Sequence, residues 1–287
     1  MDNECRLCLK KSFEKLLEEK VNDYNIKCEL YDEINEYINS VNSEITTPEV
    51  ARGVYNIMSE TLQISDLNEE NKLKSNDIVL KKYTEFKNLI FNSDNPFNVA
   101  LRLSIAGNIM DFAACPEFFT NSEQYLNNVI NKVLKADFAI DDSQQLETRI
   151  KFSKTLLFLG DNAGEIVFDK LFLETINHPN VFYAVRGKPV INDVTVDDAS
   201  YVGIDKIAEV ISNGYDAPST IIEKASKEFK RIYNSADLII SKGQGNLEGL
   251  INNTRDDLYF LLMVKCDVIA NLLAVKKGDY IVKKNNR

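Results

Sequence analysis

The sequence predicts an α/β protein: a helical N-terminal region over residues 1–150, then an α/β/α domain over 151–287 built on a mainly parallel sheet. Three observations predict it. Up to about residue 150, apolar residues recur mainly at helical spacing. From 151 onward, apolar runs of strand length alternate with helical patterns, which implies parallel strands with helices on both faces. Polar, glycine-bearing stretches follow directly on several of these runs, as loops do at the carboxyl edge of such a sheet.

In order along the chain, Leu7, Leu9, Phe13, Leu16 and Leu17 form one helical stripe, and Tyr31, Ile34, Tyr37 and Ile38 a second. Thr47-Pro48-Glu49 reads as a helix start: a Thr cap, Pro in the first turn and an acid near the positive end of the dipole. Residues 67–76 are polar and read as a loop; Val79, Tyr83, Phe86 and Ile90 resume helical spacing. The stretch 98–112 is apolar on nearly all sides and reads as a buried helix carrying Asn108 and Asp111, three apart and so on one face. Two polar residues there either bond to each other or line a pocket. Strands are expected at 155–159, 181–185, 208–211, 238–240 and 258–264, with a last edge strand at 280–282 among lysines and asparagines. Pro218 is placed at the start of a crossover helix whose apolar face includes Ile221, Ile222, Ala225 and Phe229.

A chain of 287 residues with 44% hydrophobic and 27% charged residues has the composition of a soluble globular protein. It carries 34 basic and 44 acidic side chains, a formal charge of −10, which argues against general nucleic-acid binding. A phosphorylated substrate stays open, because a bound cation and a lysine can invert the local field. No apolar run approaches the roughly 20 residues needed to cross a bilayer, and the N-terminus lacks the apolar core of a signal peptide, so a cytoplasmic protein without membrane partners is expected. Five scattered cysteines do not suggest a disulfide framework; Cys5-x-x-Cys8 is open between an incidental pair, half a metal site and a redox pair. His178 is the single histidine and sits in a His-Pro-Asn turn, which argues strongly against Ser-His-Asp and multi-histidine zinc chemistry.

The centre of the second half is the first strand and its sequel, Gly160-Asp161-Asn162-Ala-Gly-Glu165. The Asp161 carboxylate and Asn162 amide oxygen are hard donors suited to Mg²⁺ or Mn²⁺, although an Asp-Asn turn capping a helix uses the same residues. After the second strand come Arg186 and then Asn192-Asp193, a second carboxylate for such a cation. After a later strand comes Lys242-Gly243-Gln-Gly245-Asn246, whose amides and ammonium suit an anion, although a plain glycine-rich turn is the alternative. Neither GxxxxGK[ST] nor a GxGxxG fingerprint is present.

These three stretches together resemble the metal-dependent damage-control phosphatase family, also catalogued as domain of unknown function 89, which includes a human protein once described as a carboxyl methyltransferase. Thr47-Pro-Glu49, Ala106-Gly-Asn108-Ile-Met-Asp111 and Lys265-Cys266 are similar to it as well, and Cys5-x-x-Cys8 matches its prokaryotic stand-alone branch. The resemblance implies a three-layer, Rossmann-like domain behind a helical N-terminal region. It implies a divalent cation (Mn²⁺, Mg²⁺, Co²⁺ or Ni²⁺) at Asp161, Asn162 and Asp193, and hydrolysis of small phosphometabolites such as sugar phosphates or damaged phospho-cofactors. On this reading Asp161 and Lys242 are catalytic, Lys242 holding phosphate. Glu165, Asn108, Asp111, Arg186, Gly243, Gly245 and Asn246 lie at the substrate. Attack by water and an aspartyl-phosphate intermediate both stay open. The rivals are a methyltransferase using S-adenosylmethionine and a non-catalytic metabolite-binding module. The former predicts an acid ending the second strand, where this sequence has Arg186.

Overall fold

The computed structural model describes residues 1–42, 45–107 and 122–285. Among the described residues seven strands form one sheet in the order β1-β7-β6-β5-β2-β3-β4. They are β1 (Phe138–Asp141), β2 (Leu156–Leu159), β3 (Val181–Val185), β4 (Glu209–Ser212), β5 (Leu238–Lys242), β6 (Leu258–Met263) and β7 (Tyr280–Lys284). Every pairing is parallel except β6 with β7.

The alternation within β2 shows why this is a layered fold. Leu156 and Phe158 enter one apolar core, Leu157 and Leu159 the other, and all four are fully buried. A strand with no polar face must be covered on both sides. On the first face lie α4 (Glu69–Leu80), α5 (Tyr83–Phe91), α6 (Pro96–Gly107), α7 (Ser122–Lys135), α8 (Ser143–Phe152), α9 (Glu165–Ile176) and α10 (Val196–Val202). On the second lie α11 (Lys227–Ser235), α12 (Gly243–Leu250) and α13 (Asp267–Leu273). The helices α1 (Asn3–Lys20), α2 (Tyr24–Ser40) and α3 (Thr47–Leu62) bury their stripes in a third cluster, joined by Val190 from the loop after β3.

The mixed α/β class with a mainly parallel sheet is as expected, with local differences. The sheet takes a strand, β1, from before residue 151, and β7 lies between β1 and β6, so it is not an edge strand. Most of the loop expected at 67–76 is helical, because α4 already begins at Glu69: its buried face is largely polar (Lys72, Ser75, Asn76 and Val79), so hydropathy hides it. Helix α11 starts at Lys227 behind a Ser226 cap, and Pro218 lies in the irregular segment before it. The cap of α3 is Thr46, one residue earlier than expected, in a capping box with Glu49. His178 lies at the opposite edge from the polar loops, its Nε2 within 3.0 Å of the Ser153 carbonyl. Among the described residues no helix is long and apolar enough to cross a membrane.

Candidate active site

Strands β2 and β5 are neighbours, yet the chain leaves β2 toward β3 and β4 and later returns to β5. The carboxyl ends of β2 and β5 therefore flank the point where the winding reverses, the usual ligand crevice of an open α/β sheet. Asp161 and Asn162 follow β2, Arg186 follows β3, and Lys242 ends β5.

The loop carrying Asp193 folds back onto the end of β2. Val194 N donates to the Asp161 carbonyl at 2.9 Å, Ala163 N donates to the Asn192 carbonyl at 2.9 Å, and an isolated antiparallel bridge pairs Asn162 with Asp193. Arg186 locks the arrangement: its Nε donates to Asp193 Oδ2 at 2.5 Å, and its Nη2 lies 3.5 Å from Asp161 Oδ1. Both carboxyl groups thus share one guanidinium. Burial, then Glu165 and Asp193, push the Asp161 carboxyl well up, against the pull of Arg186 and Lys265. Asp198, close by in sequence, is engaged elsewhere: it accepts from Lys72 Nζ at 2.7 Å and caps α10 with Thr195.

Helix α9 starts at Glu165 behind Gly164, whose φ of +79° suits glycine. Gly164 N donates to Asn76 Oδ1 of α4 at 2.6 Å. Asn162 Nδ2 donates to Asp161 Oδ2 at 2.8 Å and to Glu165 Oε2 at 3.0 Å. Gly107 ends α6 against this corner, where a Cβ would lie 2.9 Å from Glu165 Cα. Asn108 and Asp111 lie outside the described residues.

Lys242 departs from the expectation of an ammonium facing a phosphate. It is fully buried. Its Nζ donates to Glu165 Oε1 at 2.7 Å, Asp169 Oδ1 at 2.5 Å and the Ser104 carbonyl at 2.8 Å, which uses all three donors. Burial opposes its charge, but Asp169 and Glu165 outweigh burial and raise its affinity for the proton. The glycine stretch after it is the first turn of α12, not a loop. Gly243 N, Gln244 N and Gly245 N therefore belong to a helix start with no side-chain cap, next to Asp161. Gly245 has a packing role of its own: a Cβ there would lie 2.3 Å from the Pro218 carbonyl oxygen. Asn246 ties the strand ends together, donating to the Gly160 carbonyl at 3.1 Å and the Lys242 carbonyl at 2.8 Å, and accepting from Thr220 Oγ1 at 2.9 Å.

Four residues that sequence reasoning did not select belong to this cluster. Asp169 accepts from Lys242, from Ser104 Oγ at 2.8 Å and from Tyr183 OH at 3.0 Å. A lone carboxylate in the apolar run Ile166-Val-Phe-Asp169, one turn after Glu165, is the signal that points to it. Lys265, just past β6, is close enough for its charge to favour the ionised form of Asp161. The Lys265-Cys266 pair quoted for the family resemblance is the signal for it.

The six charged groups Asp161, Glu165, Asp169, Asp193, Arg186 and Lys242 are all buried, and they set four carboxylates against two cations. Among the described residues no three His, Cys, Asp or Glu side chains gather as a ready metal cage. The donors that fit a hard dication are two carboxylates and one amide, Asp161, Asn162 and Asp193, and the excess of buried negative charge at this point favours a cation. Cys5 is partly buried and Cys8 exposed, both as free thiols on α1, and burial pushes the Cys5 thiol up.

A family model of the damage-control phosphatase ARMT1-like domain matches residues 1–281. The chain is 36% identical over 221 residues to a damage-control phosphatase of Pyrococcus horikoshii, covering 75% of this chain and 74% of that protein. It is 30% identical over 246 residues to a damage-control phosphatase of Archaeoglobus fulgidus, covering 85% and 82%. The crystal structure of a DUF89 family protein from Pyrococcus horikoshii matches with a TM-score of 0.90 at 29% identity, over 100% of this chain and 99% of that one.

Proposed function

The chain belongs to the damage-control phosphatase ARMT1-like family, and from that premise we propose that it is a divalent-cation-dependent phosphatase that hydrolyses small phosphometabolites in the cytoplasm. The observation that carries this reading is the buried charge imbalance at the β2–β5 crevice, where Asp161, Asn162 and Asp193 offer hard oxygen donors from two loops. Asp161, Asn162 and Asp193 would hold a dication there, which would supply Lewis-acid charge. The protein's own groups do the rest. The first-turn amides of α12 and the Lys265 ammonium receive the anionic oxygens, charge-assisted contacts that strengthen as negative charge develops. Arg186 keeps Asp161 and Asp193 side by side. Glu165, held by Lys242, orients Asn162 through its amide.

The methyltransferase alternative is disfavoured by Arg186, which stands where an acid would bind the donor's ribose, and whose guanidinium already faces two carboxylates. The test is a screen of small phosphorylated metabolites and an aryl phosphate with Mg²⁺, Mn²⁺, Co²⁺ and Ni²⁺ in turn. Turnover with at least one ion, lost in Asp161→Ala with the fold retained by circular dichroism, is expected. No turnover with any ion, or a fully active Asp161→Ala, removes the proposal. Tight binding of S-adenosylmethionine without a cation would favour the rival.

A further inference from the structure

An unbroken hydrogen-bonded line runs from Asp161 into the core. Asn162 Nδ2 bridges Asp161 and Glu165, Lys242 Nζ bridges Glu165 and Asp169, and Tyr183 OH closes the line on the far oxygen of Asp169. Ser104, Glu165, Asp169, Tyr183 and Lys242 are each fully buried. The line crosses three layers of contact, from α6 (Ser104) through α9 (Glu165 and Asp169) to β3 and β5. Buried ion pairs bring little net stability over a hydrophobic substitute, so stability is a weak reason for such a chain.

We propose that Asp169 is a positioning residue of the phosphatase site: it pins the Lys242 ammonium, and through Lys242 and Glu165 it sets the orientation of Asn162 and Asp161, without itself reaching substrate. This rests on the catalytic reading of that site. The geometry explains why one ammonium needs two carboxylates. Glu165 alone would leave the Lys242 side chain free to rotate among its donors. Asp169 Oδ1 and the Ser104 carbonyl fix two of the three N–H directions, so the third can only point at Glu165 Oε1. Glu165 then presents its other oxygen, Oε2, to Asn162. Asp169 is faced by Lys242 from β5, Tyr183 from β3, Ser104 from α6 and Glu165 from its own helix. Burial pushes its carboxyl up to about 6, against the pull of Lys242 and Ser104. Protonation of Asp169 would therefore loosen the chain of contacts.

The test compares wild type with Asp169→Asn, Ser104→Ala, Lys242→Met and Asp169→Asn/Lys242→Met in the full chain. The measurements are Mn²⁺ binding by calorimetry, and kcat and KM for an aryl phosphate between pH 5 and 9. Asp169→Asn is expected to bind Mn²⁺ about tenfold more weakly and to lose about 10–100-fold in kcat, as removal of a group behind a ligand shell does. KM should stay within about threefold, and the acid limb of the kcat profile should change. Ser104→Ala, which removes one donor to the carboxylate, should move that limb to higher pH with the fold intact. The double variant should be no slower than Lys242→Met alone, because both act along one line. Unchanged Mn²⁺ affinity and kcat in Asp169→Asn, or additive losses in the double variant, would overturn the proposal. A wild type that binds Mn²⁺ but hydrolyses nothing strikes the phosphatase reading instead, and the calorimetry then still decides on Asp169.

Discussion

Gly243 is built against Asp161: a Cβ on Gly243 would lie 1.7 Å from Asp161 Oδ2, and its φ is +78°. The helix start after β5 and the carboxylate after β2 therefore meet with no room for a side chain between them. Gly243→Ala should cost about 1–2 kcal/mol from backbone strain alone. It should also displace Asp161 and lower kcat by about 100-fold or more, as a misplacement of about 1 Å at a reacting centre does. Thermal unfolding and steady-state kinetics check both; a stable, fully active variant would mean that Asp161 is not held by α12.

Arg186 is the counter-charge of two buried carboxylates, so Arg186→Leu leaves Asp161 and Asp193 facing each other without it. Breaking such a buried pair costs about 3–5 kcal/mol. Added Mn²⁺ should then raise the Tm of Arg186→Leu more than that of wild type, since the cation replaces the missing charge. Scanning fluorimetry with and without Mn²⁺ reads the difference; equal shifts would argue against a cation between these carboxylates.

Helix α3 is moored to the segment after β4 by Arg52, whose Nε donates to Asp216 Oδ1, and by Asn56 Nδ2, which donates to Asp216 Oδ2 at 3.3 Å. Burial raises the Asp216 carboxyl, but the Arg52 bond outweighs it and holds the group below its ordinary value. A depressed carboxyl contributes stability above its unfolded value near 3.9 and loses it as pH falls toward the folded value. Arg52→Ala should therefore cost about 1 kcal/mol or less at pH 7, the pair being partly exposed. The gap to wild type should close below about pH 4. Urea titrations across pH 3–7 would show it.

Lys72 is buried between Asp66 at 2.8 Å and Asp198 at 2.7 Å, joining α4 to the start of α10. Burial opposes its charge, but the two carboxylates outweigh burial and hold it protonated. Lys72→Met should destabilise by about 3–5 kcal/mol because two carboxylates lose their partner. Lys72→Met/Asp198→Asn should recover part of that loss, a non-additivity that denaturant unfolding would detect.

The places where reading failed share a physical cause. Residues 67–76 read as a loop because helical periodicity is judged by apolar residues, whereas the buried face of α4 carries Lys72, Ser75 and Asn76, each bonded to surrounding groups. Pro218 looked like a helix start, but the helix begins nine residues later, where Ser226 Oγ accepts from Phe229 N. Lysine before glycines suits an anion, yet the Lys242 ammonium here is turned into the core. Its carboxylate partners come from α9, more than seventy residues earlier.

Local patterning is enough to settle the class of fold and the corner at which these polar residues gather. Fully apolar runs of strand length demand cover on both faces, and parallel strands send the polar residues that follow them to one edge, which is how Asp161, Asn162, Arg186 and Asp193 come to one corner. The tertiary structure alone decided which charges face which. Burial makes each ionised group depend on a partner, and the partners of Lys242, Asp161 and Lys72 are supplied by segments that no local spacing links to them.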